Sequence, residues 1–538
     1  MEQARGTRSL RAPQDDGQTL IDPAWLTLPD VVSENRARYA QAQYDVQGRS
    51  LAELSASARS AVVAQAVAYT SRYRNVSTRL QSVESLASAP LVLSGHQPQL
   101  FHAGVWYKNF VLGSLVQRLG GVGVHLLIDS DLCRSVSIRV PTGTIQDPRV
   151  EALSYDEPDA EMPYEERNIR DANTLDSFAD RAAALIRPFV VDPMVTTLWP
   201  LVRQRHPQQL NLGLRLAQGR HSLEESWHNQ TLELPQSAVC QLPEFSWFLA
   251  HVMANLPRFW MAYNDALAAY RRAHRLRNRA HPVPDLAEVD GWLEAPFWIW
   301  SSDDPRRRPL FAQQSGDELV LTDRHSRTFR LAITSDRDAR AATEQLLALA
   351  GRGVKIRTRA LTTTLFARLV LGDMFLHGIG GARYDQVTDQ IIREFFGLQP
   401  PEFATVSATL RLPIARGHLD VAQAVTCAQQ LRELHYHPER FLRTDVADVG
   451  MNVQEIIASK QRWVQTSKTP QNARQRHLAI AASNEALQPL LADKRHEIKR
   501  RCTELQRRKR AAAILQSRDY SFCLFPREHF ETLLEGMY

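Results

Sequence analysis

The chain has 538 residues, 44% hydrophobic and 23% charged, a globular composition that excludes a fibrous or mainly disordered protein. No apolar run approaches the roughly 20 residues that span a bilayer, and the opening MEQARGTRSLRAPQDDG lacks the apolar stretch of a secretory leader, so a soluble, cytoplasmic chain with no membrane partner is expected. The net charge of +6 is concentrated: residues 494–510, KRHEIKRRCTELQRRKR, hold nine Lys/Arg and two Glu, which leaves the remainder nearly neutral.

Residues 1–30 are polar and read as a loose N-terminus. Residues 31–149 read as the first part of an α/β core. A helical pattern runs to about residue 87, then come an apolar strand (APLVLSG), a loop, a helix (VWYKNFVLGSLVQRLG) and a second strand (VGVHLLIDSD). This strand–loop–helix–strand order begins a parallel layer. Residues 150–290 read as a mainly helical insertion, whose long FSWFLAHVMANLPRFWMAYNDALAAYRRAHRL stretch ends before the prolines of HPVPDL. Residues 291–419 read as the second part of the core with a small β insertion. APFWIW is a buried strand, PLFAQQSGDELVLTD and TFRLAIT form hairpin strands around a Gly-Asp turn, and α/β texture returns from GVKIRTRAL onward. Residues 420–538 read as a C-terminal helical, coiled-coil arm. Leu491, Ile498, Leu505 and Ala512 recur every seventh residue, although the second seam position is polar (Lys494, Arg501, Arg508). Five scattered cysteines without a CxxC pair argue against a disulfide framework and against a structural zinc site.

Three segments carry candidate chemistry. In LVLSGHQPQLFHAGVWYK, residues 91–108, a strand ends at Gly95 and a helix starts near Gly104. Ligands of open α/β sheets bind outside the carboxyl ends of strands, and a helix N-terminus offers free N–H groups to an anion. Gly95, Gln97, His102 and Lys108 are therefore candidate substrate contacts, with Gly95 and Gly104 admitting close backbone approach, and His96 a candidate catalytic group. Asp129 and Asp131, at the end of HLLIDSD, could hold or deprotonate an amine. In HGIGGARYDQVTD, residues 377–389, Gly380 and Gly381 form a tight turn before a helix on which Asp385 and Asp389 share a face. The tryptophans of PFWIW, Trp298 and Trp300, read as core.

Together, and in this order, the segments resemble the bacillithiol-synthesis cysteine-adding enzymes, a family of cysteine ligases. The resemblance rests on Ser94-Gly95-His96-Gln97-Pro98-Gln99-Leu100-Phe101 with Lys108 behind it. It continues through Asp129 and Asp131, Arg357 or Arg359, Gly378-Ile379-Gly380-Gly381, and Phe396-Gly397-Leu398-Gln399-Pro400-Pro401. It implies a Rossmann-like core with a helical insertion, a coiled coil used for homodimerisation, and addition of cysteine to a small anionic, sugar- or carboxylate-bearing acceptor. Arg359 would then pair a substrate carboxylate. The chain departs from the family where His96 replaces a loop Gln and where Ala382 stands near an expected Glu. Two alternatives stay open. One is a nucleotide-binding, adenylyl- or nucleotidyl-transferring enzyme, with ATP or ADP as cofactor near His102 and Gly104. The other is an inactive relative acting as a binding protein, in which 494–510 would contact nucleic acid. The plainer account of that run is a solvated helical face.

Overall fold

The computed structural model describes residues 10–76, 85, 88–204, 210–414, 421–442 and 451–535. The chain divides into two compact units. One comprises residues up to 140, 151–413 and those from 518 onward; the other comprises 141–150 and 414–517.

The strands, in chain order, begin with β1 (Thr19–Asp22), β2 (Leu91–His96), β3 (Val122–Leu127), the paired β4 (Ser137–Gly143) and β5 (Pro148–Ser154), and β6 (Leu232–Pro235). They continue with β7 (Glu288–Val289), β8 (Trp292–Ser301), β9 (Asp304–Ser315), β10 (Glu318–Thr322), β11 (Thr328–Leu331), β12 (Val354–Thr358), β13 (Met374–His377) and β14 (Ala404–Ala408). The principal sheet of the first unit has the order β1-β14-β13-β2-β3-β6. All its pairings are parallel except that of β1 with β14. The protein is thus α/β, with a largely parallel sheet at its centre. β3 and β14 are buried along their whole length, and β3 accordingly reads as a nearly continuous apolar run.

The helix Leu51–Thr70 starts on a capping box, in which Ser50 Oγ accepts from the Glu53 amide and the Glu53 carboxylate accepts from the Ser50 amide. Its Val62, Val63 and Ala66 join Leu93, Val124 and Leu234 of the strands in the main core. The helix Ala103–Leu119 connects β2 to β3 and ends at Gly120, which takes the left-handed conformation at φ +60°.

The expected Gly-Asp hairpin is present: Gly316, at φ +60°, turns β9 into β10. Two other expectations change. The helical insertion 150–290 contains β6, a strand of the principal sheet. β12, which carries Arg357, does not return to that sheet. It pairs antiparallel with β8 at the edge of a second sheet ordered β11-β10-β9-β8-β12.

In the second unit, helices Val421–Tyr436 and Ala492–Leu515 pack together. Leu491, Ile498 and Leu505 of the heptad seam bury against Leu434 and Cys427 of the same chain. The seam therefore closes within one chain. Cys427 and Cys502 form a single disulfide between these helices, although the scattered cysteines argue against a disulfide framework; a separation of 75 residues leaves no local motif to announce it. The segment from Arg518 does not continue the arm. It returns to the first unit, where Phe522 and Phe530 lie 4.3 Å from the Trp106 ring.

Candidate functional site

The principal sheet changes direction between β2 and β13. From β2 the chain adds β3 and β6 on one side, and β13 later begins the addition of β14 on the other. At such a switch point the connecting helices diverge and leave a crevice beyond the strand carboxyl ends. A cavity of about 750 Å³ opens there, and Gly95, His96, His377 and Gly378 from the two strand ends line it.

Two helices present their N-termini to the cavity. The 17-residue helix Ala103–Leu119 contributes Gly104 and Val105, and the 13-residue helix Ile379–Ile391 contributes Ile379, Gly380 and Gly381. Five basic side chains line the wall (Lys108, Arg307, Arg359, Arg383 and Arg518) against two carboxylates, Asp131 and Asp519. Dipoles and charges both favour an anion.

Lys108 is buried, and its Nζ donates to the Gly95 carbonyl at 2.7 Å. Burial, aided by the charge of Arg220, pushes its pKa down to about 7. A bound anion would supply the missing countercharge. His96 donates from Nδ1 to the Gln97 carbonyl (3.2 Å), and burial together with Lys108 holds its pKa down to about 3. Gln97 donates to Asp131 at 2.9 Å, and Arg307 to the same carboxylate at 3.0 Å. Burial acts to raise the Asp131 pKa, but these two partners outweigh it and the net shift is downward. Asp131 is thus a fixed negative point in a positive wall.

Several candidates take other roles. Asp129 does not line the cavity. Its carboxylate accepts from the Ser237 amide (2.9 Å) and hydroxyl (2.5 Å), and burial and the neighbouring Glu165 push its pKa up. It ties the end of β3 to the segment after β6. His102 lines the cavity, yet its Nδ1 accepts from the Gly104 amide as the helix N-cap. Gly104 is required for packing: a Cβ there would lie 2.1 Å from the Ala408 carbonyl oxygen. Arg359 reaches the cavity but already donates to Glu294 at 2.5 Å; its Nε, buried, has no partner. Asp385 is fully buried beneath the wall.

Asp385 instead explains a residue that the sequence reading passed over. His377, the last residue of β13, directs Nε2 at the Asp385 carboxylate, 2.9 Å away. Thr364 and Arg368 each donate to that carboxylate at 2.5 Å. Burial would raise the Asp385 pKa, but Arg368 and His377 hold it well below the usual range. Burial lowers the His377 pKa more than Asp385 restores it, which favours the neutral ring, although the Nε2–Asp385 approach is not aligned as a hydrogen bond. A proton on Nε2, facing Asp385, would leave Nδ1 as the basic lone pair. Gly381 is small for this reason: a Cβ would come within 2.9 Å of Nδ1. The strand-end logic applied to Gly95 holds equally for MFLH, so His377 was accessible to it. Trp298 was not. It reads as core, yet it lines the cavity with Arg359 and Arg307 over its ring at 4.0 and 4.4 Å; Trp300 is core.

Among the described residues, no group of three His, Cys, Asp or Glu is arranged to hold a metal ion, and no helix is long and apolar enough to cross a membrane. No family model matches the chain, and no curated protein matches it significantly.

Proposed function

We propose that the first unit is a Rossmann-like ligase core that joins cysteine, or a similar amine, to a small anionic acceptor. The observation that carries this reading is the switch-point cavity, which Lys108, without a carboxylate of its own, lines together with two helix N-termini. In this scheme Lys108 and the amides of residues 380–381 hold the acceptor's anionic group. Asp131 holds the incoming ammonium, and His377 takes the proton released as that ammonium becomes a nucleophilic amine; the amine then attacks a carboxyl activated by ATP, whose displaced oxygen leaves with the transferred phosphoryl or adenylyl group. Arg359 Nε and Arg307 face a second carboxylate. A cytoplasmic location goes with this reading, and homodimerisation would use a surface of the helical unit other than the closed Leu491/Ile498/Leu505 seam.

The test is a cysteine-dependent assay with glucosaminyl-malate, with and without ATP, read by product mass. A product heavier by one cysteinyl group, lost in His377→Asn, is expected. ATP cleavage with transfer to another acceptor would establish the nucleotidyl-transfer alternative, and neither product nor calorimetric binding of the acceptor would overturn the reading.

A further inference from the structure

Charge is divided unequally between the units. Residues 414–517 hold 18 Lys/Arg and 10 Asp/Glu, a net of +8 that exceeds the whole chain's +6. The first unit is therefore slightly negative. The helix Ala492–Leu515 carries most of the excess, and all nine of its basic residues in 494–510 are exposed.

Three of the nine are matched locally: Lys494 pairs with Glu497, and Arg507 and Arg508 share Glu504. Arg495, Lys499, Arg500, Arg501, Lys509 and Arg510 have no ion pair among the described residues. A solvated coiled-coil face would leave the seam for a second helix of another chain. Here the seam is closed on Leu434 and Cys427, and nine Lys/Arg against two Glu make the remaining circumference strongly cationic. From Lys494 to Arg510 the row runs about 24 Å at 1.5 Å per residue.

We propose that this helix docks on a nucleic-acid duplex through its phosphates. The chemistry of the face separates this partner from its competitors. A membrane-surface helix turns an apolar face outward to the lipid, but the large apolar side chains of 494–510, Ile498 and Leu505, are buried inward. Single strands are held by base stacking on aromatic rings, and residues 492–515 contain no Phe, Tyr or Trp. What remains is a helix that carries guanidinium and ammonium groups around its exposed circumference over about seven base steps at 3.4 Å, suited to a regular array of backbone charge without base readout.

Fluorescence anisotropy of the full chain with a labelled 20-base-pair DNA duplex tests this. Six phosphate contacts predict a slope of log K against log salt of about −5 between 50 and 200 mM. Lys499→Gln, Arg500→Gln and Arg501→Gln together should reduce it to about −3, weaken binding at 50 mM by tenfold or more, and leave the circular dichroism unchanged. Arg272→Gln, an exposed site on the first unit, should change nothing. Absence of binding at 50 mM salt, an unchanged slope in the triple variant, equal or tighter binding of the single strand, or preference for phosphatidylserine vesicles would each overturn the proposal.

Discussion

Lys108 is an ammonium donor kept out of water with only a carbonyl oxygen beside it. Its folded pKa of about 7 lies below the ordinary 10.5. Between those values the unfolded chain holds a proton that the folded chain does not, so stability should rise with pH across that window and level off below about 7. Lys108→Met keeps the volume and removes the charge. It should raise stability at pH 6 by about 1–4 kcal/mol, as other buried ionic-to-apolar replacements do, and abolish anion binding; urea denaturation and calorimetry would show the two effects together. In the unmodified protein, anion affinity should weaken as pH climbs through about 7, because the binding form is the protonated amine. Gly104 makes a different demand. Gly104→Ala places a methyl group against the fixed Ala408 carbonyl and should destabilise the fold by about 1–3 kcal/mol, visible in the melting temperature without any ligand.

At the scale of elements, what could be read locally was read: β2, the helix that follows it, β3 and the β9–β10 hairpin carry their period and their turn residues in consecutive positions. What could not be read depends on partners far away in sequence. β6 is four residues long and lies inside a helical stretch, so only its pairing with β3 reveals it as core. β12 looks like any α/β strand, and its choice of β8 over β13 is a tertiary decision. The same holds for site residues. Lys108, Gln97 and Asp131 follow from strand-end reasoning, whereas Arg307 and Trp298 arrive from the second sheet with no motif to mark them. The Cys427–Cys502 link belongs here too. Closing a loop of 75 residues should be worth about 2–4 kcal/mol, so Cys427→Ser should lower the unfolding free energy of the helical unit by that amount in urea denaturation, matched by adding a reductant to the unmodified chain.

For the molecule as a whole, the first unit binds its parts across long sequence distances. Leu376 of β13 sits beside Ser94 of β2, and Thr19 of β1 beside Ala408 of β14. Long-range parallel pairing is slow to form, since chain closure precedes its reward. The principal sheet therefore cannot be complete until segments more than 280 residues apart have met.

The return of the segment from Arg518 bears on timing. Arg518 and Asp519 form part of the cavity wall, and the aromatic residues behind them seal Trp106. The cavity lining runs from Ala12 to Asp519, and its wall closes only when this segment docks. In stopped-flow refolding, far-ultraviolet dichroism should recover first and ligand-binding capacity last, the two separated by the docking step. A chain caught in that interval would be largely folded and yet unable to take up substrate.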